Sequence, residues 1–355
     1  MKRVLLTTAH PATYINSWVQ ILQRHYAISV VYHKRESLYK KWNNLEPVAG
    51  TYLDTLSLSA LLGLVRKHDL VILGGWNKWI LLAVIFLKPF YKAKMAVFSD
   101  YPQFDGRRSL SYYFKKYFIF KAVDYIFCAT ESTGQFYAQE YGIQSDKIKF
   151  FPYEFDKATG EDIDGINAQR ESALKGGQEK LRIFVANSFI ARKGYATIVQ
   201  ALEKLKSDGK TDRFDMLVAG GGELKEEVTR QILAIKPDVQ FVGWLETDQY
   251  QDILKKSDVF LHASTFEPFG IPPLDAMCRG KLVICSDGVK SVSSLIENGI
   301  SGYLFPAGDA EALYAILRDL DLTRVYAIGK EGRDAVRTAY RDTIYTDTIE
   351  SCLGK

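Results

Sequence analysis

The sequence predicts an α/β protein of two domains, each built on a parallel β-sheet with helices on both faces. Short runs of β-branched and aromatic residues alternate with longer stretches at helical spacing, and this alternation occurs twice along the chain. At 355 residues, the chain is also longer than one hydrophobic core usually serves.

Twelve apolar runs predict the strands of the two sheets. In the first half they are VLLTTA (4–9), AISVVYH (27–33), DLVILGG (69–75), KMAVFSD (94–100), DYIFCAT (124–130) and KIKFFPY (147–153). In the second half they are RIFVANS (182–188), FDMLVAG (214–220), VQFVG (239–243), DVFLHAS (258–264), KLVICSD (281–287) and GYLF (302–305). In open parallel sheets, ligands bind beyond the carboxyl ends of the strands, so the loops that follow strands are the informative ones.

The domain boundaries follow from composition. We expect an N-terminal domain over residues 1–156 and a C-terminal domain over 181–335, closed by a helical segment over 336–355. Residues 157–180 are polar, contain four glycines and predict a linker between the domains.

Charge is divided unevenly between the halves. Residues 1–156 contain 20 Lys and Arg against 12 Asp and Glu (net +8), and residues 157–355 contain 26 against 30 (net −4). A basic half favours an anionic partner, with a solvated basic surface as the alternative. The segments 78–94 and 107–121 interleave basic and large apolar residues, which favours a surface near anionic lipid. A packed helix with a basic outer face is the other interpretation, and no motif predicts nucleic-acid binding.

Other classes of protein are disfavoured. The four cysteines (Cys128, Cys278, Cys285 and Cys352) form no C-x-x-C pair and no His cluster accompanies them, so neither a disulfide framework nor a metal site is expected. The longest apolar run, residues 79–87, is far shorter than the ~20 residues that span a bilayer. The N-terminal apolar run is too short for a secretory signal. We therefore expect a cytoplasmic protein.

The stretch FEPFGIPPLDAM, residues 266–277, carries two carboxylates around a turn. It joins two predicted strands, and its paired prolines suit the first positions of a helix. The amides of Phe269, Gly270 and Ile271 would then lie at a helix N-terminus, which is a ready anion site.

A phosphate at this turn would repel carboxylates, unless they accept hydrogen bonds from hydroxyl groups that flank it. Glu267 could hold the hydroxyls of a sugar, and Asp275 those of a ribose. The pattern therefore predicts a nucleotide sugar. For Asp275, stabilisation of the helix N-terminus by its charge is an equally open interpretation.

Residues 266–277, followed by GKLVICSDGVKSVSSLIENGISGYLFPAGD (280–309), resemble the donor-binding signature of the retaining family-4 glycosyltransferases (glycosyl transferases group 1). Segments 241–264 and 122–156 are also similar to that family. The resemblance implies the GT-B fold, with two Rossmann-like domains facing a cleft and a C-terminal helix that can cross back to the first domain. It also implies a donor site in the C-terminal domain, an acceptor site in the N-terminal domain, and no metal or other cofactor.

The resemblance assigns roles to individual donor-site residues. Glu267 would fix the donor sugar, and Asp275 stands where the family has a second glutamate that binds ribose. In NSFIARKG (187–194), Lys193 would stabilise the leaving diphosphate. The family's arginine in this loop is replaced by Ser188, and the adjacent Arg192 is a candidate substitute.

Two further loops follow predicted strands. Gly221 and Gly222, in AGGGELKEE (219–227), would lie near the nucleotide by resemblance, or simply form a tight strand–helix connection. Asp100, in AVFSDYPQFD (96–105), stands near a position where many family members have a His-Asp pair. It would orient the donor sugar or accept a proton from the acceptor, with a helix N-cap as the alternative.

The predicted function is retaining hexosyl transfer from a nucleotide diphospho-sugar to a glycan or lipid-linked acceptor. The resemblance suggests bacterial surface polysaccharide or lipid-linked oligosaccharide synthesis, peripheral at the inner face of the plasma membrane. Two alternatives stay open. One is a non-catalytic partner subunit of the same fold, and the other is a nucleotide-sugar epimerase or hydrolase.

Overall fold

The computed structural model describes residues 1–35, 48–76, 78–103, 108–177 and 179–354. The chain divides into two compact units, one formed by Met1–Glu154 with Arg341–Lys355 and the other by Phe155–Tyr340. The strands are β1 (Arg3–Thr8), β2 (Ala27–Tyr32), β3 (Thr51–Tyr52), β4 (Leu70–Leu73), β5 (Lys94–Ser99), β6 (Tyr125–Cys128), β7 (Ile148–Phe150), β8 (Leu181–Ala186), β9 (Phe214–Ala219), β10 (Gln240–Gly243), β11 (Val259–His262), β12 (Leu282–Ser286) and β13 (Tyr303–Phe305).

Helices alternate with these strands. They are α1 (Thr13–Leu22), α2 (Leu58–Arg66), α3 (Trp79–Phe86), α4 (Leu110–Phe114), α5 (Phe120–Ala122), α6 (Glu131–Tyr141), α7 (Ile163–Lys175), α8 (Tyr195–Ser207), α9 (Lys225–Ile235), α10 (Thr247–Lys256), α11 (Ile271–Cys278), α12 (Ala310–Asp319), α13 (Val325–Ala339) and α14 (Ile344–Leu353). A π-helical turn, Lys115–Ile119, joins α4 to α5.

Both sheets are parallel and doubly wound. Within the described residues, the first sheet has the strand order β3-β2-β1-β4-β5-β6-β7, and the second has the order β10-β9-β8-β11-β12-β13. The order reverses between β1 and β4 in the first sheet and between β8 and β11 in the second. Each reversal is a topological switch point, where open parallel sheets bind their ligands.

The predicted fold class is confirmed, and so are all twelve predicted strands, to within three residues at each end. Most of the predicted strands extend too far at their carboxyl ends, where the last, polar residues belong to the following loops. Strands β11 and β12 are buried along their whole length, as expected for parallel strands covered on both faces. Only the two-residue strand β3 gave no recognisable run.

The closing segment predicted as one helix over 336–355 is two elements that belong to different units. Tyr340, at the end of α13, donates a hydrogen bond to Ser291 O at 3.0 Å and belongs to the second unit. After a break, α14 buries Tyr345 and Ile349 in the core of the first unit. The segment is therefore two helices, because its first part packs in the second unit and its last part packs in the first unit.

The predicted linker, residues 157–180, is instead an integral part of the second unit. It contains α7, whose Arg170 donates from Nε and Nη2 to the fully buried Asp258 at 3.1 and 2.8 Å. Asp162 caps the helix by accepting from Gly165 N at 3.0 Å. The segment packs through paired charges as well as a few apolar side chains such as Ile163, and its many polar residues are why its composition resembled a linker.

Other features of the described residues bear on function. No helix among them is long and apolar enough to cross a membrane. The four cysteines are buried as free thiols. In the same ranges, no cluster of three His, Cys, Asp or Glu side chains has an arrangement that could hold a metal ion.

Replacing Arg170 by Ala should destabilise the second unit by about 3 kcal/mol, because it leaves the buried Asp258 carboxylate without its cation. Lys175→Ala, on the same helix, is the matched control. Lys175 is half exposed and pairs with Glu171 at its surface, so its loss should cost about 0.5 kcal/mol or less. Urea unfolding followed by circular dichroism measures both. If both variants lost the same small amount of unfolding free energy, residues 157–180 would be a linker and not part of the second unit.

Candidate functional site

The loops that follow β8 and β11 meet at the switch point of the second unit. Thr265 donates to Arg192 O from both its backbone N, at 2.8 Å, and its Oγ1, at 3.1 Å. Gly194 has a φ of +71°, and a Cβ there would lie 1.8 Å from Ala263 O. Only glycine permits this approach, which holds the ends of the two loops together.

The loop contact brings Glu267 against two cations. Lys193 Nζ forms an ion pair with Glu267 Oε1. Arg192 Nη1 lies 3.1 Å from Oε2 and also donates to Phe266 O at 2.7 Å. The side chains of Glu267 and Lys193 are only 12% and 13% exposed, so water screens their interaction weakly.

A buried histidine lies behind this carboxylate. His262 Nδ1 accepts from Asn187 Nδ2 at 3.1 Å, which leaves the ring proton on Nε2. Nε2 is 3.1 Å from Ser264 Oγ and 3.7 Å from Glu267 Oε1. These six side chains are referred to as the Glu267 cluster: Glu267, Lys193, Arg192, His262, Ser264 and Asn187.

The cluster keeps its central carboxylate ionised. Burial opposes the charge of Glu267, but the adjacent His262 ring and the Lys193 ammonium outweigh it and lower the pKa of the carboxyl group below its usual range. Burial lowers the pKa of His262, so the ring is neutral where a free histidine titrates. Burial also lowers the pKa of Lys193, an effect that Glu267 opposes. The arrangement can therefore offer positive charge to an anion and an acceptor to hydroxyl groups.

The N-terminus of α11 follows Glu267 in the chain. Gly270 caps this helix with a φ of +99°, and a Cβ there would lie 2.6 Å from Val289 Cγ1. Phe269 is buried. Among the described residues, the amides of Gly270 and Ile271 donate no hydrogen bond, as is usual in a first helical turn, and they are available to an anion.

Asp275 lies apart from the Glu267 cluster. It is the fifth residue of α11 and lies beyond the first turn, so the interpretation that its charge stabilises the helix N-terminus was wrong. Its Oδ1 accepts from Asp156 N at 3.0 Å, and Asp156 in turn pairs with Arg279 at 2.7 Å. Burial raises the pKa of Asp275 to about 8. No hydrogen bond or ion pair within the described ranges joins Asp275 to the cluster, and its ribose role stays a prediction.

The glycine turn after β9 packs against the loop after β8. Gly222 has a φ of +151°, and a Cβ there would lie 2.6 Å from Phe189 O. Phe189 N donates to Gly221 O at 2.9 Å. Close backbone packing explains the glycine at 222, and the nucleotide role predicted for Gly221 and Gly222 stays a prediction.

The first unit has a cavity of about 250 Å³ at its own switch point. Its lining includes Thr7, Thr8, Gly74 and Gly75 at the ends of β1 and β4, Tyr14, Ile15 and Trp18 of α1, and Phe98, Asp100 and Tyr153.

Asp100 is the carboxylate of this cavity. Tyr153 Oη donates to its Oδ2 at 2.9 Å, and Oδ1 is buried without a partner in the described part of the chain. Burial raises the pKa of Asp100, against the effect of the Tyr153 hydrogen bond. The N-cap of the helix that follows, α4, is Ser109, so the N-cap interpretation of Asp100 was wrong.

Sequence reasoning missed the residues that support these carboxylates. His262 was read only as part of a strand, although a polar residue that ends a buried strand beside a switch point is a usable signal. Tyr153 lies near the end of the segment 122–156, and nothing in its spacing indicated contact with Asp100.

Comparisons with known proteins agree with this geometry. Residues 166–323 match the family Glycosyl transferases group 1, and this range includes the whole Glu267 cluster. An uncharacterized glycosyltransferase from Methanocaldococcus jannaschii is 25% identical over 220 residues, which are 59% of this chain and 54% of that protein. The amylovoran biosynthesis glycosyltransferase AmsK from Erwinia amylovora is 31% identical over 147 residues, covering 39% and 35%. The chain thus spans about half or less of the length of these relatives.

Solved structures share the whole fold. HepE from Anabaena in complex with UDP superposes with a TM-score of 0.74 at 17% identity, covering 99% of both chains. The same protein with UDP-glucose gives a TM-score of 0.69 at 16% identity, again over 99% of both chains. These likenesses support the assignment of two Rossmann-like domains of the GT-B type.

The wild-type protein should become less stable as pH rises, and replacing Asp275 by Asn should abolish this part of the pH dependence. The pKa of Asp275 is raised in the folded protein to about 8, so the folded state keeps a proton that the unfolded chain releases. The contribution of this carboxyl group to the free energy of unfolding is full below about pH 4, which is near the ordinary pKa of an aspartate. Between there and about pH 8, the contribution falls by at most about 1.4 kcal/mol per pH unit. Asparagine keeps an oxygen for Asp156 N but does not titrate.

Urea unfolding at several pH values between about 5 and 8 measures this difference. Asp248→Asn, at an exposed carboxylate of α10, is the control. The same pH dependence in wild type and in the Asp275 variant would contradict a buried, protonated carboxyl group.

Proposed function

We propose that this chain is a glycosyltransferase that moves a sugar from a nucleotide diphospho-sugar to an acceptor hydroxyl, with retention of the anomeric configuration. The observation that carries the proposal is the Glu267 cluster at the switch point of the second unit. Two cations beside the N-terminus of a helix suit a diphosphate, and an ionised carboxylate suits the hydroxyls of a sugar.

In the proposed reaction, the bond between the anomeric carbon and the diphosphate breaks as the acceptor oxygen attacks from the same face, and the proton of the acceptor hydroxyl passes to the leaving diphosphate. Lys193 and Arg192 stabilise the charge that develops on the leaving diphosphate, and Glu267 holds the donor sugar. No covalent protein nucleophile takes part, so catalysis is positioning combined with electrostatic stabilisation. Because the cations neutralise the diphosphate, we propose that transfer requires no metal ion.

The position of Arg192 supports this assignment. The family arginine is absent at Ser188, but Arg192 reaches the same carboxylate as Lys193, with Nη1 3.1 Å from Glu267 Oε2. Two cations are therefore present at one point, as neutralisation of a diphosphate requires. This arrangement favours an enzyme over a partner subunit that has lost its activity.

A uridine donor is the first to test, because HepE, which shares the fold, was solved with UDP and with UDP-glucose. We propose that the first unit binds the acceptor in the cavity at Asp100. The unpartnered Oδ1 can accept a hydrogen bond from an acceptor hydroxyl, and the aromatic wall, where Trp18 and Tyr153 stack 5.7 Å apart, suits the apolar face of a sugar ring. The name of AmsK makes bacterial surface glycans the first acceptors to screen.

Two substitutions should separate the proposed roles in the donor site. Lys193→Met should weaken UDP and UDP-sugar alike by about 10- to 100-fold, the loss of one hydrogen bond to a charged group. Glu267→Gln should leave UDP binding within a few-fold but abolish the additional affinity for the sugar and most of the transfer. Calorimetry measures binding, and product analysis with an acceptor measures transfer.

Lys206→Met, at an exposed lysine of α8, is the matched control and should change neither property. Release of free sugar or of its epimer without an acceptor would favour a hydrolase or an epimerase. Equal nucleotide affinity in wild type and in the Lys193 variant would overturn the donor site.

A further inference from the structure

Two helical segments of the first unit expose large apolar side chains. The exposed fractions are 72% for Trp79 and 46% for Phe86 on α3, and 90% for Leu110, 39% for Phe114 and 56% for Phe118 on α4 and the π-helical turn. Phe86 and Phe114 are in contact, with ring centroids 6.2 Å apart. Phe114 also stacks on Phe118, with ring centroids 5.5 Å apart, so these three rings form one apolar patch. Trp79 and Leu110 are exposed on the same two helices, and we call all five side chains the aromatic surface.

Packing of the first unit does not require this surface. The inner face of α3 is already filled by Ile80, Leu81, Val84 and Ile85, which are buried in the core. A helix at the surface of a globular protein normally has a polar outer face. A contiguous apolar patch on an outer face instead marks a site of interaction.

Lysines border the aromatic surface. Lys78 is the N-cap residue of α3, next to Trp79. Lys115 and Lys121, on the π-helical turn and α5, lie over the rings of the neighbouring Trp76 and Tyr117 at 5.9 and 5.4 Å. In the described ranges, no Asp or Glu forms an ion pair with any of these three lysines. Between residues 78 and 121, the sequence has nine Lys and Arg against two Asp and Glu.

We propose that the aromatic surface docks on an anionic lipid bilayer. Aromatic rings are favoured at the level of the headgroups, and lysines keep their charge at the lipid phosphates while their stems cover apolar surface. Each lysine near such a membrane strengthens binding by about fivefold. A protein partner is less suited, because lysine is depleted in protein interfaces relative to the rest of the surface.

The docking proposal depends on the first unit alone. If the proposed sugar transfer is also correct, docking brings the first unit, which holds the proposed acceptor site, to the membrane. The class of acceptor is then a lipid-linked saccharide or a glycolipid. This second step depends on the proposed function, whereas the docking does not.

Co-sedimentation with vesicles tests the docking directly. The full chain should bind vesicles that contain phosphatidylglycerol and should not bind phosphatidylcholine alone. Reversing two charges, with Lys78→Glu and Lys121→Glu, should weaken binding to the anionic vesicles by about tenfold or more. Trp79→Ser with Phe118→Ser should weaken it as well, and neither pair should change the thermal unfolding temperature greatly, because all four side chains are exposed.

Matched controls lie in the second unit. Ile300→Ser and Lys330→Glu also change an exposed apolar residue and an exposed lysine, and they should leave vesicle binding unchanged. Nucleotide binding should be intact in every variant, which separates this proposal from the donor site. No binding to anionic vesicles, equal binding to neutral ones, or self-association that is lost in the Trp79 variant would overturn the proposal.

Discussion

The ionised carboxylate of Glu267 is the constraint on which the candidate donor site depends. A charge that is 12% exposed is costly unless it is paired and hydrogen-bonded, so Lys193, Arg192 and a neutral His262 must surround it. Their positions follow from strand order, because β8 and β11 are neighbours at the switch point. The loops close only because Gly194 approaches the carbonyl of Ala263 without a side chain.

Buried carboxylates are used in different ways within this chain. The pKa of Glu267 is lowered by its partners, whereas the pKa of Asp100 is raised by burial, and no described residue forms an ion pair with it. Such opposite shifts distinguish a group that holds charge from a group that can take up a proton. Asp258 is paired with Arg170 and stabilises the second unit. Asp275 accepts from Asp156 N and has a pKa that burial raises, and its ribose role stays a prediction.

Sequence patterns predicted most of the fold, because parallel strands buried on both faces form apolar runs that need no tertiary information. They also placed Lys193 and Glu267 in loops that follow predicted strands, and the roles proposed for the two residues came from the family resemblance. They could not show that Arg192 faces Glu267, because neighbouring residues in a loop direct their side chains differently and the sequence does not give that direction. The segment 157–180 was misread for a related reason. Its charged side chains pair with residues up to 169 positions away, as Asp164 does with Arg333. The composition of a segment does not show which distant residues it pairs with.

The most direct test of the central claim is a crystal structure with the nucleoside diphosphate that the chain binds. The diphosphate is predicted to lie with its oxygens ~2.7–2.9 Å from Lys193 Nζ, and close to the amides of Gly270 and Ile271. Arg192 is predicted to contact the same group. A diphosphate bound elsewhere, with the ion pair between Lys193 and Glu267 undisturbed and out of contact with it, would contradict the assignment of the Glu267 cluster as the donor site.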